Sequence, residues 1–224
     1  MDARLTVIVP VLNEAGGIAA ALAQLAPLRA RGHTVIVVDG GSTDGTAELA
    51  RPHCDQLLAS ARGRAVQMNA GARAAGTDAL VFLHADTRLP EQADRLILRA
   101  LEDARWGRFD VRIEGRHRLL GLVSCAMNLR SRLTGIATGD QAIFVRREAF
   151  PGFAEIPLME DVAFSRAMKR GGRPACLRER VVTSGRRWES RGVLRTIFLM
   201  WRLRLLFALG VAPQRLARDY ADPR

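Results

Sequence analysis

The sequence predicts an α/β protein built on a mainly parallel central sheet, and three observations lead to this fold class. Strand-like and helix-like patterns alternate at short intervals over the first hundred residues, which is the order of repeated β-α-β units. Residues 35–38 are four β-branched apolar residues, typical of a strand buried on both faces, and they end at Asp39 and a glycine-rich segment. The chain has 224 residues, 48% of them hydrophobic, so it can bury one substantial core. We therefore expect parallel strands joined by right-handed crossovers.

The elements of the first half follow from hydrophobic periodicity and turn residues. Strands are predicted at residues 5–11, 34–38, 56–59 and 79–83, and helices at residues 15–28, 44–51 and 64–75. After the second strand, Gly41 lets the backbone turn sharply and approach a ligand, and Ser42 or Thr43 is expected to cap the next helix. Ligands of such sheets bind at the carboxyl ends of the strands, so Asp39 lies where a nucleotide would bind.

The second half is less regular and reads as a substrate-facing region attached to the same sheet. Its predicted elements are strands at residues 109–114, 142–145 and 181–182, helices at residues 119–133 and 160–170, and a long C-terminal helix. We expect one domain over residues 1–190. Residues 191–224 form a helical extension that either belongs to that domain or serves as a peripheral element.

The chain carries a net charge of +11, and Lys169 is its one lysine. Arginine favours bidentate contacts with phosphate or carboxylate, although a genome biased toward arginine codons would give the same count. The charge indicates anionic partners such as nucleotide phosphates or lipid headgroups. Nucleic acid is not expected, because no helix-turn-helix, zinc finger or aromatic RNA-binding signature accompanies the charge.

Cysteine usage and the N-terminal segment both indicate a cytoplasmic protein. Cys54, Cys125 and Cys176 are widely separated and odd in number, so they form neither a disulfide framework nor a zinc pattern. The apolar stretch at residues 5–12 is too short for a signal peptide and contains Pro10.

Four predicted element ends present polar groups that carry chemistry. Asn13 and Glu14 follow the first strand, Asp39 ends the second, Asp86 follows the fourth, and Glu160 with Asp161 begins a later helix. Any one of them alone is explained as a turn or cap residue. Their joint occurrence favours a single site.

Taken together, these segments resemble the family 2 glycosyltransferases. The residues that carry the resemblance are the Val-Pro-x-x-Asn-Glu start at residues 9–14, residues 39–46, the triplet at residues 84–86, residues 139–147, and the acidic pair at residues 160–161. The resemblance covers roughly residues 5 to 190 and implies the GT-A fold, a nucleotide-binding α/β sandwich with a mixed, mainly parallel sheet. Residues 83–90 and 139–141 further resemble a short bacterial subgroup associated with arsenosugar biosynthesis.

The resemblance implies a nucleotide-sugar donor. Pro10, Asn13 and Glu14 would line the base and ribose, and Asp39 would accept a hydrogen bond from the base. The remaining donor-side candidates are Gly41, Ser42, Arg62, Arg64, His84 and Ala85, with a solvated surface pair as the alternative for the two arginines. Gly40 stands where relatives often carry a second acid, so the choice between UDP and GDP donors stays open.

Asp86 corresponds to the last carboxylate of the family's Asp-x-Asp element, which holds a divalent cation against the diphosphate. The resemblance therefore implies Mn²⁺ or Mg²⁺ as cofactor. The first position of the triplet is His84 here, and imidazole is a poorer ligand for a hard cation. We expect His84 to contact ribose or phosphate instead.

An inverting transfer needs a base that takes the proton of the acceptor hydroxyl. The resemblance gives this role to the Glu160–Asp161 pair, and we expect Asp161 to be the base, with Glu160 orienting it or binding the acceptor. The alternative is that both are favourable charges at a helix N-terminus. The expected acceptor-side residues are Gly139, Asp140, Gln141, Arg187 and Trp188, with a core role as the alternative for Trp188.

The C-terminal segment at residues 194–212 is apolar, yet Arg195, Arg202 and Arg204 would each cost ~2.5 kcal/mol or more near a bilayer centre. A spanning helix is therefore not expected. On a helical wheel, the segment shows two apolar stripes on opposite sides, Leu194, Phe198, Trp201 and Leu205 on one and Leu199, Leu203 and Phe207 on the other. We expect one stripe to pack on the main domain and the other to meet the inner membrane face or a second subunit; the alternative buries both within the domain.

Two other function classes compete with an inverting glycosyltransferase. A nucleotide-sugar binding or scaffold protein would bind nucleotide without turning over a donor. A sugar-nucleotide pyrophosphorylase would need a basic glycine-rich loop for a triphosphate, and residues 9–17 contain no basic residue.

Overall fold

The structure is a computed structural model that describes residues 3–221. Its centre is an eight-stranded mixed sheet in the order β3-β2-β1-β4-β7-β6-β8-β5. The strands are β1 (Leu5–Val11), β2 (Thr34–Asp39), β3 (Gln56–Ala59), β4 (Ala79–Phe82), β5 (Thr87–Arg88), β6 (Trp106–Glu114), β7 (Phe144–Arg146) and β8 (Ala175–Ser184). Strands β1 to β4 are mutually parallel, as predicted, while β7 runs antiparallel to both β4 and β6.

Within residues 3–221, ten α-helices surround this sheet. They are α1 (Ile18–Ala23), α2 (Ala26–Ala30), α3 (Thr46–Ala50), α4 (Arg64–Ala74), α5 (Ala93–Asp103), α6 (Leu119–Thr134), α7 (Glu160–Met168), α8 (Arg186–Arg191), α9 (Val193–Ala208) and α10 (Pro213–Ala221). None of the helices between residues 3 and 221 is long and apolar enough to cross a membrane.

The two faces of the sheet bury two separate apolar layers, which explains the uninterrupted apolar runs in β1 and β2. Val7 and Val35 pack on the side of α1 and α5, whereas Ile8 and Ile36 pack on the side of α4 and α7. Successive residues of a strand point to opposite faces, so a strand covered on both sides needs apolar residues at every position.

Prolines divide two of the predicted helices. The helix expected at residues 15–28 separates into α1 and α2, and Pro27 lies in the first turn of α2. The helix expected at residues 44–51 shortens to α3, which is followed by a 3-10 turn that contains Pro52. Proline has no N–H and clashes with the preceding turn, so it is tolerated where a helix begins but not inside one.

The C-terminal region differs from the single long helix that was predicted. It consists of α8, α9 and α10, and the breaks fall at Gly192 and Gly210, whose φ angles are 82° and 85°. These left-handed angles end a helix at little cost only for glycine. Leu203 is fully buried against α7 and α10, whereas Leu194, Phe198, Trp201 and Leu205 are exposed. One stripe therefore packs on the domain, and burial of both stripes within it is ruled out.

Two elements, β5 and α5, have no counterpart in the sequence prediction, and β8 is much longer than expected. Strand β8 pairs with β6 through an irregularity between Phe109 and Asp110, and its residues Arg178, Glu179 and Arg180 are exposed. Charged residues mask the strand pattern there. The predicted boundary at residue 190 falls within α8, and the division into residues 1–190 and 191–224 stays a prediction. Residues 1, 2 and 222–224 of these two regions lie outside the described residues.

Candidate active site

The carboxyl ends of β1 and β2 lie side by side, and the loops that follow them are tied together. Asn13 donates its backbone N–H to the Ser42 hydroxyl at 2.9 Å, and its side-chain oxygen accepts the Thr43 N–H at 2.9 Å. One residue later, Glu14 donates its N–H to the Thr46 hydroxyl at 2.8 Å. All five residues come from the two motifs predicted to form the nucleotide site, residues 9–14 and 39–46, so the structure joins both motifs in one wall.

Asp39 lies at the base of this wall and is 9% exposed. Its carboxylate accepts the N–H groups of Gly41 and Ser42 at 3.1 and 3.0 Å, and it also accepts the Ser42 hydroxyl. Most of its hydrogen-bonding capacity is thus used inside its own loop. Pro10 precedes this edge in β1, opposite Val38 of β2.

The predicted helix cap is wrong. Helix α3 begins at Thr46 after Gly45 and has no side-chain cap, because the Ser42 hydroxyl bonds Asp39 and Asn13. The hydroxyls of Ser42 and Thr46 hold the loops after β1 and β2 together, and neither caps the N-terminus of α3.

Gln67 is a site residue that sequence reasoning missed. It is buried on α4, and its amide nitrogen donates to the carbonyls of Val11 and Val38 at 2.8 and 2.9 Å. A Cβ atom added at Gly40 would lie 3.0 Å from the Gln67 side chain. Gly40, the position that leaves the choice of donor base open, therefore makes room for the Gln67 side chain, which links β1 to β2 as a clamp.

The segment after β4 faces the loop around Gly139. His84 Nδ1 lies 3.3 Å from Asp140 Oδ1, and a Cβ atom at Gly139 would lie 2.4 Å from His84 Nε2. Burial alone would raise the pKa of Asp140, but the His84 hydrogen bond and the positive charges of Arg64 and Arg187 lower it below its ordinary value. The His84 ring therefore supports the Gly139 loop, and its contact with ribose or phosphate stays a prediction.

Acidic and basic groups also meet around Glu14 and Asp86. Arg187 lies within electrostatic reach of both Glu14 and Asp140, and we call the region between these two residues the cleft. Asp86 is exposed, and Arg186 Nη2 lies 3.7 Å from Glu14 Oε2. Burial raises the pKa of Glu14, Arg186 opposes the rise, and the negative charge of Asp86 adds to it. Glu14 and Asp86 thus share one part of the cleft. Between residues 3 and 221, no group of three or more His, Cys, Asp or Glu side chains is arranged to hold a metal by itself.

The acidic pair that begins α7 splits into two roles. Glu160 is 3% exposed, and its Oε1 lies 3.0 Å from Arg64 Nη1. Asp161 turns toward the acceptor-side loop and accepts the Gly139 N–H at 3.0 Å. Burial, reinforced by the negative charge of Glu160, raises the pKa of Asp161 to about 6. Such a carboxylate is ionised near neutral pH and is still basic enough to take a proton.

Several predicted residues lie away from the cleft or in the core. Gln141 is fully buried, and its side chain bonds the carbonyl of Phe109 and the N–H of Thr138, so its expected contact with acceptor hydroxyls is wrong. Trp188 is half-buried and packs against the core, which is the alternative that the sequence left open, and Ala85 packs on the same core. Arg62 is exposed on the loop before α4.

Arg187 has a partner that the sequence did not indicate. Its Nη1 donates a hydrogen bond to the hydroxyl of Tyr220, and its guanidinium carbon lies 5.5 Å from the centre of the Tyr220 ring. The last described helix, α10, thereby reaches the predicted acceptor side.

Comparison with solved structures identifies the same architecture. A mannosyltransferase from Pyrobaculum calidifontis, in complex with GDP-Man and Mn²⁺, is 24% identical and superposes with a TM-score of 0.65 over 99% of this chain and 70% of its own. Glucosyl-3-phosphoglycerate synthase from Mycobacterium tuberculosis, in complex with Mn²⁺, UDP and phosphoglyceric acid, is 18% identical with a TM-score of 0.60 over 81% of this chain and 69% of its own.

Mannosyl-3-phosphoglycerate synthase from Rubrobacter xylanophilus is 18% identical with a TM-score of 0.58, over 93% of this chain and 76% of its own. At these identities the likeness shows the GT-A fold. No curated protein sequence matches the chain. The sequence profile described as Glycosyl transferase family 2 matches residues 6–120, more than half of the 224 residues. The chain therefore belongs to glycosyl transferase family 2.

Proposed function

We propose that this protein transfers a sugar from a nucleoside-diphosphate donor to an acceptor hydroxyl with inversion at the anomeric carbon. The observation that carries the proposal is the position of Asp161. Its carboxylate faces the Gly139 loop, its pKa is raised to about 6, and the neighbouring Glu160 is occupied by Arg64. One carboxylate is thus left to act as general base.

The proposed step needs few groups on the protein. Asp161 takes the proton of the acceptor hydroxyl as that oxygen attacks the anomeric carbon, and the bond to the diphosphate oxygen breaks on the opposite side. Asp140, held by His84, would orient acceptor hydroxyls. Arg187, within electrostatic reach of Asp140 and Glu14, would neutralise charge on the departing diphosphate.

The acidic side of the cleft fits a divalent cation. Mg²⁺ is held by one or two carboxylates together with substrate phosphates and waters, and Asp86, with Glu14 beside it, can supply the protein ligands. We propose Asp86 as the ligand. When bound, Mn²⁺ or Mg²⁺ would stabilise the negative charge that develops on the diphosphate.

The donor base stays a proposal between uridine and guanine, because solved structures with this fold carry either UDP or GDP-Man. The test is a donor panel with Mn²⁺ or Mg²⁺ that scores release of nucleoside diphosphate with and without acceptors. Asp161→Asn should abolish turnover, while Asp103→Asn, an exposed aspartate on α5, should leave it unchanged. Donor binding without turnover by the unaltered chain would favour the binding-protein alternative.

Within the family, we propose the short bacterial subgroup associated with arsenosugar biosynthesis, on the resemblance of residues 83–90 and 139–141. The acceptor panel should therefore include arsenic-containing alcohols. Transfer to ordinary sugar alcohols alone would count against this assignment.

We also propose that the exposed stripe of α9 binds an anionic membrane surface. Phe198 and Trp201 are each 67% exposed, and the exposed Arg195 flanks the stripe, as does Arg202, which is paired with Asp219. Apolar residues beside arginines match the interface between acyl chains and anionic headgroups, and the net charge of +11 has the complementary sign.

Vesicle co-sedimentation tests this surface. The chain should bind vesicles that contain anionic phospholipid, and Phe198→Ser/Trp201→Ser should abolish binding, while Leu49→Ser on α3 should not. Absence of binding at low salt, or a dimer that the double substitution dissociates, would overturn the membrane proposal.

A further inference from the structure

Tyr220 is the only tyrosine in the chain, and two arginines lie against its ring. Its hydroxyl accepts a hydrogen bond from Arg187 Nη1, and its carbonyl accepts one from Arg191 Nη1 at 2.9 Å. The guanidinium carbons of these two arginines lie 5.5 and 5.3 Å from the centre of its ring. The aromatic ring thus contacts two cations of α8.

The helix that carries Tyr220 is anchored independently of this contact. Leu216 is fully buried with Leu203, Met159 and Val162, and Asp219 forms an ion pair with Arg202. Helix α10 is therefore held against the start of α7, where the acidic pair lies. Tyr220 therefore contacts Arg187 from a helix, α10, whose position is fixed by other contacts.

Tyr220 holds Arg187 close to the charged groups of the cleft. Arg187 is exposed, and it lies within electrostatic reach of both Asp140 and Glu14, which line the two sides of the cleft. Tyr220 itself lies within electrostatic reach of Arg64, the partner of Glu160. A guanidinium has five N–H donors, so the bond to Tyr220 leaves others for phosphate oxygens.

We infer that Tyr220 is a positioning residue that holds Arg187 in the orientation in which it binds the diphosphate of the donor. The hydrogen bond and the ring fix the guanidinium plane before the ligand arrives, so less side-chain freedom is lost on binding. The inference rests on the proposed function, because it assigns the phosphates of the same donor to Arg187.

Calorimetric binding of UDP and GDP with Mg²⁺ tests the inference without turnover. For the nucleotide that binds, Tyr220→Phe should raise Kd about three- to tenfold, since it removes one hydrogen bond to a charged group and keeps the ring. Arg187→Ala should weaken binding further, and Tyr220→Phe should add nothing in the Arg187→Ala background. Binding of the nucleoside without phosphates should not change in any of the three variants. Arg178→Ala, an exposed arginine of β8, is the matched control and should bind as the unaltered chain does.

The single tyrosine also gives a chemical readout. With tetranitromethane, nitrotyrosine can form only at Tyr220, and the nucleoside diphosphate that binds should slow its formation while its nucleoside should not. A purely structural clamp between α8 and α10 would lower the melting temperature of Tyr220→Phe without changing the Kd ratio between diphosphate and nucleoside.

The outcomes separate two failures. Equal Kd values for the unaltered chain and Tyr220→Phe, or additive effects of the two substitutions, would overturn the positioning role. Failure of the unaltered chain to bind either nucleoside diphosphate would overturn the proposed function itself.

Discussion

The charge of Glu160 should set the pH at which Asp161 becomes active as a base. Asp161 has an ordinary pKa of 3.8, and the site raises it to about 6. This rise of about 2 pH units corresponds to ~3 kcal/mol in favour of the neutral carboxyl. Burial is the largest cause and the negative charge of Glu160 is the second, while the Gly139 N–H and Arg64 act in the opposite direction.

Glu160→Gln removes that negative charge and also frees Arg64 from its partner, whose Nη1 lies 3.0 Å from Glu160 Oε1. Both changes favour the ionised form of Asp161, so its pKa should fall, by about 1 unit. A general base works only when ionised, so activity is lost as the pH falls through its pKa. The acid limb of kcat/KM should therefore move from about pH 6 to about pH 5.

The assay is release of nucleoside diphosphate from about pH 4.5 to about pH 8, compared between the unaltered chain and Glu160→Gln. The diphosphate itself titrates in this range, but the ratio between the two proteins cancels that contribution. The plateau should stay within about tenfold, because Glu160 does not accept the proton. An acid limb that stays in place or moves upward would refute the assignment, as would an unchanged limb in Asp161→Asn.

Three further predictions concern the metal, the acid stability and the clamp below Gly40. Asp86→Asn should raise the Mn²⁺ concentration needed for half-maximal activity at least tenfold; an unchanged metal titration would remove Asp86 from the site. Burial alone would raise the pKa of Asp94, but hydrogen bonds from Arg31 and His33 lower it to about 2. Asp94→Asn should therefore cost about 2 kcal/mol in the free energy of unfolding at pH 7. That stabilisation is complete above the unfolded pKa of about 3.9 and disappears as the pH falls through about 2, so urea unfolding of the two proteins should converge there. Gly40→Ala should destabilise the fold by about 1 kcal/mol, because its Cβ would press on Gln67, whereas Gly16→Ala, which has open space, should be neutral or slightly stabilising.

The sequence predicted the nucleotide-binding half well because its signals are local. Alternating apolar runs place β1 and β2 in the core, and the polar residues that end them must emerge at one sheet edge. The sequence also identified the acidic start of α7 and the two stripes of the C-terminal region. It failed where a single residue breaks a pattern, as at Pro27 and Gly192, and where charges hide a strand, as in β8.

The sequence could not predict which side chains distant along the chain would become partners. The partner of His84, Asp140, was not foreseen, and Gln141 is buried rather than facing an acceptor. Neither outcome can be read from spacing, because both depend on how two loops meet. The predicted residues on those loops were close to the site, but their roles were assigned without their neighbours.

The sequence by itself determined the fold class, the family resemblance and the positions of the acidic groups, because periodicity and short motifs are properties of neighbouring residues. Only the tertiary structure decided which of those groups already has a charged partner. Glu160 is occupied by Arg64, 96 residues away, and Arg187 by Tyr220, 33 residues away. Such pairs form when packing brings distant elements together, and the resulting burial and charge, rather than residue identity, set the chemistry of Asp161.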